Sequence, residues 1–150
     1  MLSSLKRILP ARLLPRLWYH RVKGHYYANK TKYPAKHMTV IGVTGTDGKT
    51  TTSSMIFHVL KKQGIMAGML TTTHFAWGDY VETNETHKTS MSPGQLNKYL
   101  KRMQEAGVTH LVLEVSSHAL DQGRLAGIPI FTAVLTNLSH EHLDYHRTMK

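Results

Sequence analysis

The sequence has 150 residues, 41% of them hydrophobic, which suits one soluble α/β domain with a respectable core. Nineteen lysines and arginines against nine acidic residues give a formal charge of +10, with 11 histidines besides, so anionic partners are favoured: nucleotides, nucleic acid or a membrane surface. The absence of cysteine excludes disulfides and thiolate metal sites and fits a reducing compartment.

Much of the charge excess precedes residue 40. Leucines at 2, 5, 9, 13, 14 and 17, with Ile8 and Trp18, are interleaved with Lys6, Arg7, Arg12, Arg16 and Arg21. Pro10 and Pro15 interrupt any single long helix. The apolar runs are too short to span a membrane, and basic residues recur throughout, unlike a signal peptide. Residues 1–38 therefore read as a basic amphipathic arm and linker, packed on the domain or lying on a membrane surface through residues 1–36. Tyr26, Tyr27, Tyr33 and nearby lysines hint at RNA, but no RNA-binding signature accompanies them, so nucleic acid is disfavoured.

Residues 39–150 read as the main domain. Thr39–Thr44 is β-rich and mostly apolar, as a covered parallel strand should be. Then comes Gly45-Thr46-Asp47-Gly48-Lys49-Thr50-Thr51, with a helix after it. The glycines let the backbone approach a ligand, Lys49 adds a positive charge, and Thr50 adds a hydroxyl able to ligate Mg²⁺. The pattern departs from the general phosphate loop, G-x-x-x-x-G-K-[ST], because Val43 stands where its first glycine would be. The helix is expected to carry Met55, Ile56, Val59 and Leu60 on one side, with its N-terminus favouring an anion.

Gly64 stops that helix, and Ile65–Thr73 reads as a second strand. Gly78-Asp79 between short β-prone runs suggests a hairpin, and 83–90 a polar loop. Ser92-Pro93-Gly94-Gln95 is a helix start of capping-box type, followed by a core stripe of Leu96, Leu100 and Met103. Thr109–Val115 is an apolar strand ending in Glu114, Ser116–Arg124 includes a short helix, and Phe131–Leu138 reads as another buried strand. This alternation predicts an α/β fold: a mainly parallel sheet with helices on both faces and ligands at the carboxyl ends of the strands.

Glu114 is placed to hold Mg²⁺ directly or through water, beside the phosphate loop. His140, His142 and His146 are spaced to permit a zinc cluster, with Glu141 or Asp144 as oxygen ligand. His142 as a ligand to a second Mg²⁺ is the preferred role.

Four stretches resemble the Mur ligases, ATP-dependent enzymes that build the peptide stem of bacterial cell wall: residues 42–52, 114–124, 136–139 and 141–146. The second and fourth resemble the branch that adds the third residue of the stem. The resemblance implies a phosphate-loop central domain of cytoplasmic location. Its reaction would extend UDP-N-acetylmuramoyl-dipeptide by an amino acid through an acyl phosphate. Gly45, Thr46, Asp47, Gly48, Lys49, Thr50 and Thr51 would bind ATP, with Asn137 near the nucleotide. Lys49, Glu114 and His142 would be catalytic, and Thr50, Glu114 and His142 would hold magnesium. Ser92, Ser116, Gln122 and Arg124 match positions that bind the muramoyl substrate.

Three departures stand out. Asp47 replaces the family's usual asparagine, and its carboxylate would repel phosphates unless it caps the helix or pairs with Lys49. Met91-Ser92-Pro93 replaces a Thr-Thr-Pro substrate motif, so Ser92 alone keeps a hydroxyl there. The family's uridine-binding and C-terminal domains are not represented in these 150 residues, so the chain is expected to be part of a longer enzyme or to need a partner. The alternatives are a related ligase acting on another carboxylate, as in folate polyglutamylation, and a non-catalytic nucleotide- or membrane-associated module.

Overall fold

A computed structural model describes residues 16–139, apart from 86–88 and 90; for Arg16 and Leu17 it describes the backbone alone. The arm contributes helix α1 (Arg16–Lys30), and a short 3-10 turn (Pro34–His37) delivers the chain to strand β1 (Thr39–Thr44). Then follow α2 (Lys49–Lys62), β2 (Ala67–Leu70), β3 (His74–Trp77) and β4 (Tyr80–Thr83). The rest is α3 (Pro93–Glu105), β5 (His110–Glu114), α4 (Ser117–Asp121) and β6 (Thr132–Leu135).

Among the described residues six strands join one sheet in the order β4-β3-β2-β5-β1-β6. The β2-β5-β1-β6 part is parallel, and the β3–β4 hairpin extends it antiparallel beyond β2. Pairing sets Val43 opposite Glu114, Thr44 opposite Leu135 and Leu70 opposite Leu113, so the parallel strands end level with one another. The loops after β1, β2, β5 and β6 therefore leave from one edge, where open α/β sheets bind ligands.

Helices cover both faces, as the alternation predicts. Phe57 of α2, with Ile56 and Leu60, packs on Val43, Ala67, Met69, Ala76 and Val112. On the other face Leu96, Leu100 and Met103 of α3 pack on Val40, Leu70, Leu111, Leu113, Phe75 and Trp77. The expected capping box is present: Ser92 accepts from the Gln95 amide, and the Gln95 side chain accepts from Ser92. α1 lies on α3, and α3 in turn packs on the 3-10 turn. Gly24 of α1 sits so near the turn after α4 that an added Cβ would come within 2.8 Å of the Ala126 carbonyl oxygen. Among the described residues no helix is long and apolar enough to cross a membrane.

The hairpin is latched to α3. Trp77 and Tyr80 stack with ring centroids 4.1 Å apart, and the Arg102 guanidinium lies 4.9 Å from the Tyr80 ring and 5.2 Å from that of Trp77. The hydroxyls of Tyr80 and Tyr99 both donate to Glu82, the latter at 2.8 Å.

Three expectations need correction. In α2, Met55 and Val59 are exposed, whereas Ser53 and Phe57 are buried. The stripe facing the sheet is Ser53, Ile56, Phe57 and Leu60, spaced i, i+3, i+4, i+7, and the small Ser53 brings the helix close to the sheet. The second strand is only Ala67–Leu70, because Thr71–Thr73 form a turn in which the Thr71 hydroxyl binds the backbone of His74. Among the described residues β6 is an exposed edge strand rather than a buried one: it pairs there with β1 alone, and Phe131 and Leu135 are 78% and 63% exposed.

Candidate nucleotide-binding site

The turn after β1 is shaped by its two glycines. Gly45 has φ 137°, and an added Cβ would lie 2.1 Å from the Thr136 hydroxyl, so a side chain there would push the β6 end loop away. Gly48, at φ 76°, caps α2 and faces open space. The loop after β6 clasps the turn. Asn137 Oδ1 accepts from the amides of Thr46 (3.1 Å) and Asp47 (2.9 Å), and Thr136 Oγ1 donates to the Asp47 carbonyl at 2.7 Å. Thr46 Oγ1 accepts from the Ser139 amide at 3.1 Å. Asn137, expected near the nucleotide, is thus bonded to the loop itself.

The first bond inside α2 runs from the Thr52 amide to the Gly48 carbonyl, so the N–H groups of Lys49, Thr50 and Thr51 precede it, and no side chain caps them. Aligned amides at a helix N-terminus favour an anion. Lys49 Nζ folds over the loop, donating to the carbonyls of Gly45 (2.7 Å) and Thr46 (2.5 Å). Neither compensation envisaged for Asp47 is found: the cap is Gly48, and Lys49 turns to the carbonyls.

Glu114 ends β5 beside this turn, 3% exposed. Thr50 Oγ1 donates to its Oε2 at 3.0 Å, joining the strand-end carboxylate to the helix start. Thr72, after β2, donates twice, through its amide to Oε2 and its hydroxyl to Oε1, both at 2.9 Å. A hydroxyl and one carboxylate side by side suit Mg²⁺, which takes few protein ligands and completes its shell with phosphate and water oxygens. Among the described residues no group of three histidine or acidic side chains gathers around a possible metal position.

The remaining candidates are more dispersed. Ser116 follows β5 closely and accepts from the Ala119 amide as cap of α4. Gln122 is buried at the end of α4, and Arg124 Nε donates to its Oε1 at 2.8 Å. Ser92 is exposed, its hydroxyl 2.9 Å from Gln95 Oε1 at the start of α3. His142, with the cluster His140, Glu141, Asp144 and His146, lies outside the described residues. Thr72 was not foreseen; the available signal was a run of three threonines at the end of an apolar strand.

A mainly parallel sheet whose first strand turns through glycines into a lysine-bearing helix, next to a carboxylate on the neighbouring strand, defines the class: an α/β domain of phosphate-loop type. Residues 43–150 match the model of the Mur ligase middle domain. The chain belongs to the Mur ligase family. It is 44% identical over 119 residues to UDP-N-acetylmuramoyl-L-alanyl-D-glutamate-2,6-diaminopimelate ligase of Geobacillus kaustophilus, a match covering 78% of this chain and 24% of that protein. It is 42% identical over 120 residues to UDP-N-acetylmuramyl-tripeptide synthetase 2 of Oceanobacillus iheyensis, covering 79% and 24%. A solved structure titled as a UDP-N-acetylmuramoyl-L-alanyl-D-glutamate-2,6-diaminopimelate ligase superposes with a TM-score of 0.71 at 34% identity, over 89% of this chain and 26% of that one. The chain thus spans about a quarter of the length of these relatives.

Proposed function

We propose that this chain is the ATP-binding core of a carbon–nitrogen ligase that extends UDP-N-acetylmuramoyl-dipeptide by one amino acid, a cytoplasmic reaction of cell-wall precursor synthesis. The observation that carries this is the bond between Thr50 at the phosphate loop and Glu114 at the end of β5. It sets a metal-type donor pair against three helix-start amides and one ammonium group.

In this reading the amides of Lys49, Thr50 and Thr51 receive phosphate oxygens. Lys49 exchanges its carbonyl partners for the terminal phosphates. The substrate carboxylate attacks the γ-phosphorus, ADP leaves, and an acyl phosphate forms. The incoming amine then displaces phosphate and an amide remains. Two anions must meet in the first step, so the positive groups matter most there. Thr50 and Glu114 would hold Mg²⁺, which supplies charge neutralisation for the transferring phosphoryl group. Ser116, Gln122 and Arg124 lie on the segment following Glu114 and serve the muramoyl peptide, while the Thr136–Ser139 clasp keeps the loop in its binding shape.

The test is an ATP titration of the whole chain, with and without Mg²⁺, against Lys49→Ala. Removal of a charge-assisted contact worth about 1.5–3 kcal/mol predicts at least a tenfold loss of affinity. Unchanged binding would overturn the phosphate-loop assignment.

A further inference from the structure

Glu114 is held from two sides. A buried polar group needs partners in place of water, and three hydrogen bonds supply them here. One comes from Thr50. The other two come from Thr72, whose amide and hydroxyl take one oxygen each, so they fix the plane of the carboxylate as well as its place. Rotation of that plane would break both bonds together. Three of roughly four acceptor positions are thereby filled, leaving one for a metal ion or its water.

Thr72 is itself rigidly carried. Thr71 beside it is 1% exposed, with its hydroxyl bonded to the His74 backbone. Asn84, 2% exposed, donates from Nδ2 to the Thr71 carbonyl at 3.2 Å and from its amide to the Thr73 carbonyl at 2.8 Å. The turn is therefore fastened to the end of the β3–β4 hairpin, which is in turn latched to α3.

We propose that Thr72 is a positioning residue: it orients the Glu114 carboxylate toward the divalent cation that accompanies the nucleotide. The proposal rests on the phosphate-loop reading above. Partners of this kind, one bond removed from a metal, are worth about 10–100-fold in metal affinity.

The test uses the 150-residue chain, a fluorescent ATP analogue, and titrations in EDTA and across a range of MgCl₂. Thr72→Val keeps the shape and the amide but removes the hydroxyl. It is expected to raise the Mg²⁺ concentration for half-maximal enhancement of binding about tenfold, with affinity in EDTA unchanged. Thr72→Ser restores the hydroxyl and should return that concentration to within about threefold of wild type. A valine variant with wild-type Mg²⁺ dependence would overturn the positioning role while leaving the phosphate loop standing. Equal losses in EDTA and in Mg²⁺ would also overturn it, as a mere fold defect. A wild-type chain whose binding ignores Mg²⁺ would overturn the metal assignment of Thr50 and Glu114 itself.

Discussion

Glu114 concentrates more of the site than any other side chain, because it is buried, accepts three bonds and ends the strand paired with β1. Glu114→Gln replaces one acceptor oxygen with an NH₂ group, which fits at the Oε1 position by donating to the Thr72 hydroxyl, while the remaining oxygen keeps the bonds from Thr50 and the Thr72 amide. These bonds are then neutral rather than charge-assisted, a loss of about 1 kcal/mol, so the variant should melt slightly earlier and lose the Mg²⁺-dependent part of nucleotide binding. Thermal denaturation and the same titration check both; a variant that melts and binds like wild type would contradict the geometry. Lys49, Thr50 and Glu114 were legible in the sequence because strand, glycine turn, lysine and hydroxyl come in a fixed order. Thr72 was not, since its partner lies 42 residues away and the run of threonines at 71–73 does not say which side chain it meets. Asn137 was marked by resemblance, but its bonds to the Thr46 and Asp47 amides appear only when β6 lies beside β1.

At the scale of elements, the hairpin latch gives a pH signature. Hydrogen bonds from Tyr80 first and Tyr99 second hold the Glu82 carboxyl below the usual range. A depressed carboxyl contributes stability above its unfolded pKa and loses it as pH falls through the folded one. Burial first, then the bond to Glu82, pushes the Tyr99 hydroxyl up to about 12. A raised phenol contributes below its unfolded pKa near 10 and loses that contribution as pH rises toward 12. Tyr99→Phe is therefore expected to lower stability by about 1 kcal/mol at neutral pH and to flatten the decline between roughly pH 10 and 12. Urea denaturation across that range checks it; an alkaline limb identical to wild type would contradict the latch. The α3 stripe of Leu96, Leu100 and Met103 was readable because Ser92 and Gln95 fix where the helix starts and hence which residues share a face. The face of α2 was misread because Met55 and Val59 are as apolar as Ile56 and Leu60. The deciding residue is the small, buried Ser53, which hydrophobicity alone does not mark.

For the molecule as a whole, the alternation of strands and helices predicted a mainly parallel sheet, since parallel neighbours need helical crossovers. The same pattern could not tell an interior strand from an edge: the apolar run at 131–138 fits both, and only pairing shows β6 flanked by β1 alone among the described residues. Nor could it place the hairpin at the far end of the sheet, where Thr71–Thr73 connect it to the strand-end edge. Strand ends brought level by the parallel register make the site a property of the sheet rather than of one loop. The most direct measurement is a crystal structure of the chain with a non-hydrolysable ATP analogue and Mn²⁺, located by its anomalous signal. The expected result is phosphate oxygens on the amides of Lys49, Thr50 and Thr51, Lys49 swung from the Gly45 and Thr46 carbonyls onto them, and the ion between Thr50 and Glu114. Phosphates bound elsewhere, or an ion away from Glu114, would contradict it.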